Sequence, residues 1–251
     1  MITFYANNLV DQATITASST NAQFPVSNLK DPRRTKVFRS TSNTTSVVFD
    51  LMETSDIDAF ILVSNPILGF GFSTVTIEAN GTDSWSSPAF TTSFSFSTKH
   101  GIGIKDLDAV ISYRFVRFSF TSTLGFVEVA NVFIGKKSQT NRGISYNWTY
   151  KDEDISKQAE NRYGQKFVDI IGRQREFSGA IQNLDKDNLD IFFETYDLKG
   201  KSHPFFIKIG DSAIMNEVER YSAMVYFKSM PTISNRFFNN YSLSIQLEEA
   251  K

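Results

Sequence analysis

The sequence predicts a mainly β protein, with an N-terminal β-sandwich followed by a smaller β-rich α+β domain that carries one amphipathic helix. Three observations carry this expectation. Phenylalanine, with 24 residues against nine Tyr and two Trp, sits in runs rich in Ser, Thr and Val, which suit half-buried strands better than helices. Seven short apolar or alternating segments separated by Ser, Thr, Asn, Gly and Pro clusters fill the stretch up to Gly135, the spacing of a sandwich. Helical spacing of apolar residues is clearest at Leu189, Phe192, Phe193 and Tyr196, which fall at i, i+3, i+4 and i+7.

Taken in order, the strand segments of the first domain are 14–19, 45–51, 57–64, 73–80, 93–97, 113–120 and 127–135. Between the third and fourth, Pro66, Gly69 and Gly71 interrupt the apolar run and indicate an exposed connecting loop. After Gly135 the polar, basic stretch "KKSQTNRG" has no apolar periodicity, and it divides the chain into domains 1–136 and 137–251. In the second domain, 151–164 is the most polar part of the chain and reads as a long loop or arm. Strands at 166–171 and 175–181 flank a turn at Gly172. The helix follows near 185–199, with Asn183 or Asp185 placed to cap its start and Gly200 just past its end. Strands at 203–210, 220–230 and 240–250 complete the domain. In the last, Tyr241, Leu243, Ile245 and Leu247 alternate with Ser and Gln, the pattern of one buried face.

Composition narrows the function classes. The 26 Lys and Arg against 27 Asp and Glu give a formal net charge of -1, so no global field draws the chain to nucleic acid or to an anionic membrane. No cysteine is present, which removes disulfides, thiolate metal sites and a thiol nucleophile. No apolar stretch of about 20 residues occurs, and the N-terminus lacks the pattern of a secretory signal, so the expectation is a protein made in the cytoplasm without membrane insertion. The two histidines, His100 and His203, stand beside turn residues without a second His at ligand spacing. No nucleophile elbow, phosphate-binding loop or zinc-protease motif appears. The acidic clusters at Asp152, Glu153 and Asp154 and at Asp185, Asp187 and Asp190 lack the Gly and Glu spacing of a calcium loop. The expectation is therefore a non-enzyme with no cofactor and no metal.

One stretch invites a functional question. In "SNLKDPRRTKVFRS", Arg33, Arg34 and Arg39 surround Asp31. Guanidinium groups bind phosphate, sulfate or carboxylate bidentately, and they equally serve as multi-donor clasps under a loop. With Asp31 adjacent and no net basic field, the clasp is the preferred reading, with Asp31, Asp50 or Glu128 as partners. Arg114 and Arg117 in "YRFVRFSF" invite the same reading.

These residues also carry a resemblance. Ala17-Ser18-Ser19, Asn28 with Asp31, Phe38-Arg39-Ser40, "VVFDL" at 47–51 and the later strands "IDAFILVSN", "VTIEAN", "YRFVRFSF" and "VEVANVFIG" are similar to the discoidin-type (factor five/eight type C, galactose-binding-like) jelly roll over the first ~135 residues. Phe38 stands where that family has Trp, and the family's disulfide is absent. Together with "REFSGAIQNLDKDNLDIFFETYDLKGKSHPFFIKIGDS", the chain resembles tail or baseplate structural proteins of tailed bacteriophages. The resemblance implies a virion tail component that forms or docks on a ring, contacts other tail or baseplate proteins and displays the sandwich peripherally. The expected assembly contacts are Phe192, Phe193, Tyr241, Asp152 and Asp154. The alternative is a carbohydrate-binding module for host-surface attachment, with Trp85, Phe70 and Phe72 as an aromatic platform and Asn65 as a planar polar group. No residue supports a glycan-cleaving activity.

Overall fold

The computed structural model describes residues 1–64, 71–95, 101–145, 148–169, 173–210 and 221–250. Asn65, Phe70, His100 and the Gly172 turn lie outside the described residues. The strands in chain order are β1 (Ile2–Tyr5), β2 (Thr14–Ala17), β3 (Phe38–Arg39), β4 (Thr44–Val63), β5 (Thr74–Asn80), β6 (Phe90–Ser95), β7 (Ile102–Thr121), β8 (Glu128–Val129), β9 (Asn131–Gly135) and β10 (Ser138–Gln139). They continue as β11 (Thr149–Asp154), β12 (Lys157–Glu160), β13 (Lys166–Asp169) and β14 (Arg173–Leu184), then the helix α1 (Lys186–Lys199), β15 (Phe205–Ile209), β16 (Ser222–Phe227), β17 (Thr232–Phe237) and β18 (Asn240–Glu249). The protein is mainly β, a sandwich with a smaller α+β part.

Contacts divide the chain into two units. One comprises Thr3–Gln139 with Phe206–Ala223, the other Met1–Ile2, Thr140–Phe205 and Met224–Lys251. The chain first passes from one unit to the other for a long stretch between Gln139 and Thr140, where the sequence reading divides it at 136/137. It also returns a late segment to the first unit and gives its first two residues to the second.

The first unit is built on the antiparallel sheet β2-β4-β7-β5-β6, with β9 pairing the second half of β4. Two strands expected separately at 45–51 and 57–64 are one strand, β4, interrupted where the register shifts between Asp50 and Ser55. Met52 there has φ +70°, left-handed backbone that marks the interruption. Before the bulge, "TTSVVFDL" alternates because one face meets the core. After it, every residue from Ile57 to Val63 is buried, as in a strand covered on both faces. Phe118 of β7 is the hub of the core, edge-on to Phe49 at 5.5 Å and to Phe60 at 5.9 Å, an arrangement favoured by ring quadrupoles. In the same unit β1 lies between β10 and β15, and Phe133 packs edge-on against Phe206 at 5.9 Å.

The second unit holds β16-β18-β14-β11 in one antiparallel sheet, with β17 also pairing β18. Leu243, Ile245 and Leu247 of β18 are buried, the face that their alternation predicts. Asp185 caps α1, its side chain accepting from the Asn188 N–H at 2.9 Å. The apolar face of α1 packs inward, Phe192 and Tyr196 standing 5.5 and 5.3 Å from the Phe227 ring. Arg175 and Glu249 form a buried bidentate pair at 2.9 and 2.7 Å.

The arm differs from its sequence reading. The residues at 151–164 are largely strand rather than loop: β11 pairs β14, and β12 pairs β13 in a two-stranded ribbon of its own. Strand periodicity is invisible there because neither face of the ribbon is buried.

Candidate functional site

Three groups of side chains bear on function: the arginine clasp, the Trp85 cluster and the exposed ribbon.

The clasp forms in the first unit as two separate pairs. Arg33 grips Asp31 through Nε at 2.8 Å and Nη2 at 2.5 Å, while its backbone N–H donates to the same carboxylate. These bonds, the Arg33 side-chain bond foremost, lower the Asp31 carboxyl to about 2. The second pair is deeper. Arg39 donates from Nε to Glu128 Oε2 at 2.7 Å, and Glu128 is only 3% exposed. The guanidinium of Arg39 also sits over Phe24 and Phe126, 4.4 and 4.6 Å from the ring centroids, so its charge is stabilised by two aromatic faces and a carboxylate. Arg34 reaches the Ser64 carbonyl at 3.5 Å. Arg114 holds Asp50 through Nε and Nη2 at 2.7 and 2.8 Å, and Arg117 holds Glu78 at 2.6 Å. Arg33, Arg39, Arg114 and Arg117 thus each engage a carboxylate of the chain itself.

Of the expected aromatic platform, Phe70 and Asn65 lie outside the described residues, and Phe72 and Trp85 can be placed. Phe72 is 4% exposed and packs against Phe120 at 5.1 Å, because its strand-entry position turns the ring into the core. Trp85 lies beyond the other end of β5. Its ring is half-buried under the Arg117 guanidinium at 4.6 Å, and its indole N–H donates to Asp83 Oδ1 at 2.6 Å. Around it, Asn80 donates to the Ser84 carbonyl at 2.7 Å. Trp85 thus contacts Arg117 and Asp83, and Arg117 in turn is held by Glu78.

The expected assembly residues also separate. Phe192 is 2% exposed and Phe193 and Tyr241 are half-buried, so the aromatic face of α1 serves the interior of its own unit. Asp152 and Asp154 are exposed on β11, opposite Arg175 and Arg173 in register. What sequence reasoning underestimated is the ribbon. All eight strand residues of β12 and β13 are exposed, and Tyr163, Phe167 and Val168 are 73%, 60% and 52% accessible.

A further network had no sequence signal, since its members are about a hundred residues apart. Tyr5 donates to Asp106 Oδ1 at 2.9 Å, and Lys208 donates to the other carboxylate oxygen of Asp106. Burial, and then the Asp106 charge, push the Tyr5 phenol well above its ordinary value. Among the described residues, no three His, Cys, Asp or Glu side chains gather as metal ligands.

No family model matches the sequence, and no curated protein does. Among solved structures, the chain is similar to the family 32 carbohydrate-binding module of a Clostridium perfringens protein in complex with galactose, at 14% identity and a TM-score of 0.44 over 55% of this chain and 100% of that one. It is similar to a second Clostridium perfringens module of that family in complex with GalNAc-β-1,3-galactose, at 9% identity and TM-score 0.45 over 52% and 100%. A Streptococcus pneumoniae fucose-binding module matches at 17% identity and TM-score 0.45 over 52% and 98%.

Proposed function

We propose that the chain is a non-catalytic assembly component, and that the β12–β13 ribbon docks its C-terminal unit on neighbouring subunits. A phage tail tip or baseplate, the setting implied by the sequence resemblance, belongs to this proposal. The observation that supports it is the ribbon's exposure. A lone two-stranded hairpin is marginal in water, yet this one presents Tyr163, Phe167 and Val168 to solvent. Cross-strand register places Lys157 opposite Asp169 and Glu160 opposite Lys166, pairs that favour the hairpin without covering its apolar residues. Such a surface is completed by a partner. The test is the mass of the full chain by size-exclusion chromatography with light scattering, alone and with tail proteins of the same virion. A multimer or complex that is lost in Phe167→Ser/Val168→Ser supports the reading; a wild-type chain that stays monomeric in every mixture overturns it.

Glycan recognition is the second reading, favoured by the Trp85 cluster. A half-buried indole touched by Arg117 and Asp83, with Glu78 holding Arg117 and Asn80 bonded to the same loop, offers an apolar ring edge and planar polar groups, the chemistry that sugars use. The modules named above carry galactose and GalNAc-β-1,3-galactose, but for this chain only the Trp85 cluster supports the reading. Binding to a host-surface glycan panel that is lost in Trp85→Ala would establish it, and no binding by the wild-type chain would remove it.

A further inference from the structure

Lys208 is placed unlike Lys136, Lys151 and Lys228. Those three pair with Asp56, Glu153 and Glu176 through exposed side chains, whereas the Lys208 side chain is 8% exposed and meets Asp106. Lys208 stands on β15 two residues after Phe206, so both side chains take the same face of the strand. Phe206 packs on Phe133, and Phe133 is edge-on to Tyr5 at 5.7 Å. At this aromatic lining Lys208 Nζ lies against Asp106 Oδ2 of β7, while the Tyr5 O–H donates to Asp106 Oδ1 at 2.9 Å. Tyr5, Asp106 and Lys208 all belong to the first unit.

An ion pair withdrawn from water is costly unless its donors are well satisfied. An ammonium has three N–H donors, and among the described residues Asp106 is the carboxylate that Lys208 meets. Passing one proton along the contact turns the pair into an amine and a carboxylic acid, the two reactants of an amide condensation. The nucleophilic nitrogen is then held beside the carboxyl carbon by the fold, which makes the step intramolecular. Exclusion of bulk water from the lysine side removes the competing solvation of the nucleophile.

We propose that Lys208 and Asp106 condense spontaneously to a side-chain amide that joins β15 to β7 covalently. Nζ attacks Asp106 Cγ, the C–N bond forms and the Cγ–Oδ2 bond breaks. Of the three ammonium protons, one stays on the amide nitrogen and two leave with Oδ2 as water, so the pair supplies every atom of both products. Negative charge develops on Oδ1 as Nζ adds, and the Tyr5 O–H is already aimed at that atom, the placement of an oxyanion donor. In the product Oδ1 is the amide carbonyl oxygen and still accepts from Tyr5. Burial, the first cause of the raised Tyr5 phenol, persists there, so the phenol keeps its proton. The chain has no cysteine, and this bond would take the place of a disulfide, closing a loop across a sequence separation of 102. It stands or falls independently of the ribbon and of the Trp85 cluster.

The experiment is the intact mass of the purified full chain, followed by proteolytic mapping with mass spectrometry. The wild-type chain should be lighter than its sequence by one water, and digestion should yield a branched peptide that links the Asp106 and Lys208 segments. Lys208→Arg keeps a cation opposite Asp106 but should show the full mass of its sequence. Asp106→Asn should form the same branch with loss of ammonia instead of water, which separates this condensation from dehydration elsewhere. Tyr5→Phe should retain a larger share of chain at full mass, because the oxyanion donor is gone. A folded wild-type chain at full mass with no branched peptide after prolonged incubation overturns the proposal, as does a water loss that persists in Lys208→Arg. The wild-type branched peptide decides the matter even where a variant fails to fold.

Discussion

Arg39 lies between the rings of Phe24 and Phe126 and donates to Glu128, joining β3 to β8 beneath the sandwich's basic loop. Glu128 is almost wholly buried, and its Oε1 has no hydrogen-bond partner among the described residues. Arg39 is therefore the charge partner of this buried carboxylate. Arg39→Met strands that charge and should cost about 3–5 kcal/mol of stability, whereas Arg39→Met/Glu128→Leu should recover most of the loss. Urea unfolding of both variants checks this; equal destabilisation of single and double variants would show that packing against the rings, rather than the ion pair, is what matters.

The Tyr5–Asp106–Lys208 network predicts an alkaline signature. The Tyr5 phenol is raised above its ordinary value of 10.0 by burial, by the Asp106 charge and by the bond to Asp106. The folded state thus holds a proton that the unfolded chain releases first, so this contribution is complete below pH 10 and stability declines as pH rises beyond it. In a spectrophotometric titration one tyrosine should lag behind the exposed ones until the chain unfolds. Tyr5→Phe should abolish the lagging fraction, and its persistence would refute the assignment.

How much of this was legible in the sequence follows from what each residue touches. The one-sided half of β4 alternates, the two-sided half runs apolar, and both could be read as strands; their union across Met52 could not, because a bulge leaves no local pattern. Asp185 and the α1 stripe are legible, but the stripe does not say what it packs on: Phe192, one of the expected assembly contacts, lies with Tyr196 against Phe227 of its own unit. Periodicity shows that a face is buried, not what buries it. The ribbon was read as a loop because exposed strands have no apolar period. Asp106 and Lys208 meet through topology alone, and no spacing rule connects residues so far apart. The clasp was legible in part: Asp31 with Arg33 is local, while the choice of Glu128 for Arg39 required the β3–β8 pairing.

At low pH the Asp31–Arg33 pair should report itself. The Asp31 carboxyl lies at about 2, depressed foremost by the Arg33 side-chain bond, so its stabilising contribution is present above the ordinary carboxylate range near pH 4 and is lost as pH falls toward 2. The pair is exposed, and its effect on overall stability is small. Carboxyl-selective NMR should find Asp31 titrating below the other aspartates, and Arg33→Gln should return it to the ordinary range. An unchanged midpoint in that variant would assign the depression to the backbone instead.

Gly135 ends β9 at a place where the sequence suggests only a strand terminus. A Cβ built there comes 2.4 Å from the Asn7 carbonyl oxygen and 3.1 Å from Phe133 Cζ. The first contact is to backbone, which cannot swing aside as a flexible side chain does. It lies one residue from the Asn8 side chain, which donates to the Val132 carbonyl and accepts from the Ile134 N–H at 2.9 and 3.1 Å. Gly135→Ala must therefore push the 7–8 segment away from β9 and strain those two bonds. The cost of such overpacking is about 1–3 kcal/mol, and hydrogen exchange should show the Ile134 amide losing protection more than the amides of β5. A variant as stable as the wild type, with Ile134 equally protected, would mean that the segment relaxes freely and that the close approach has no structural role.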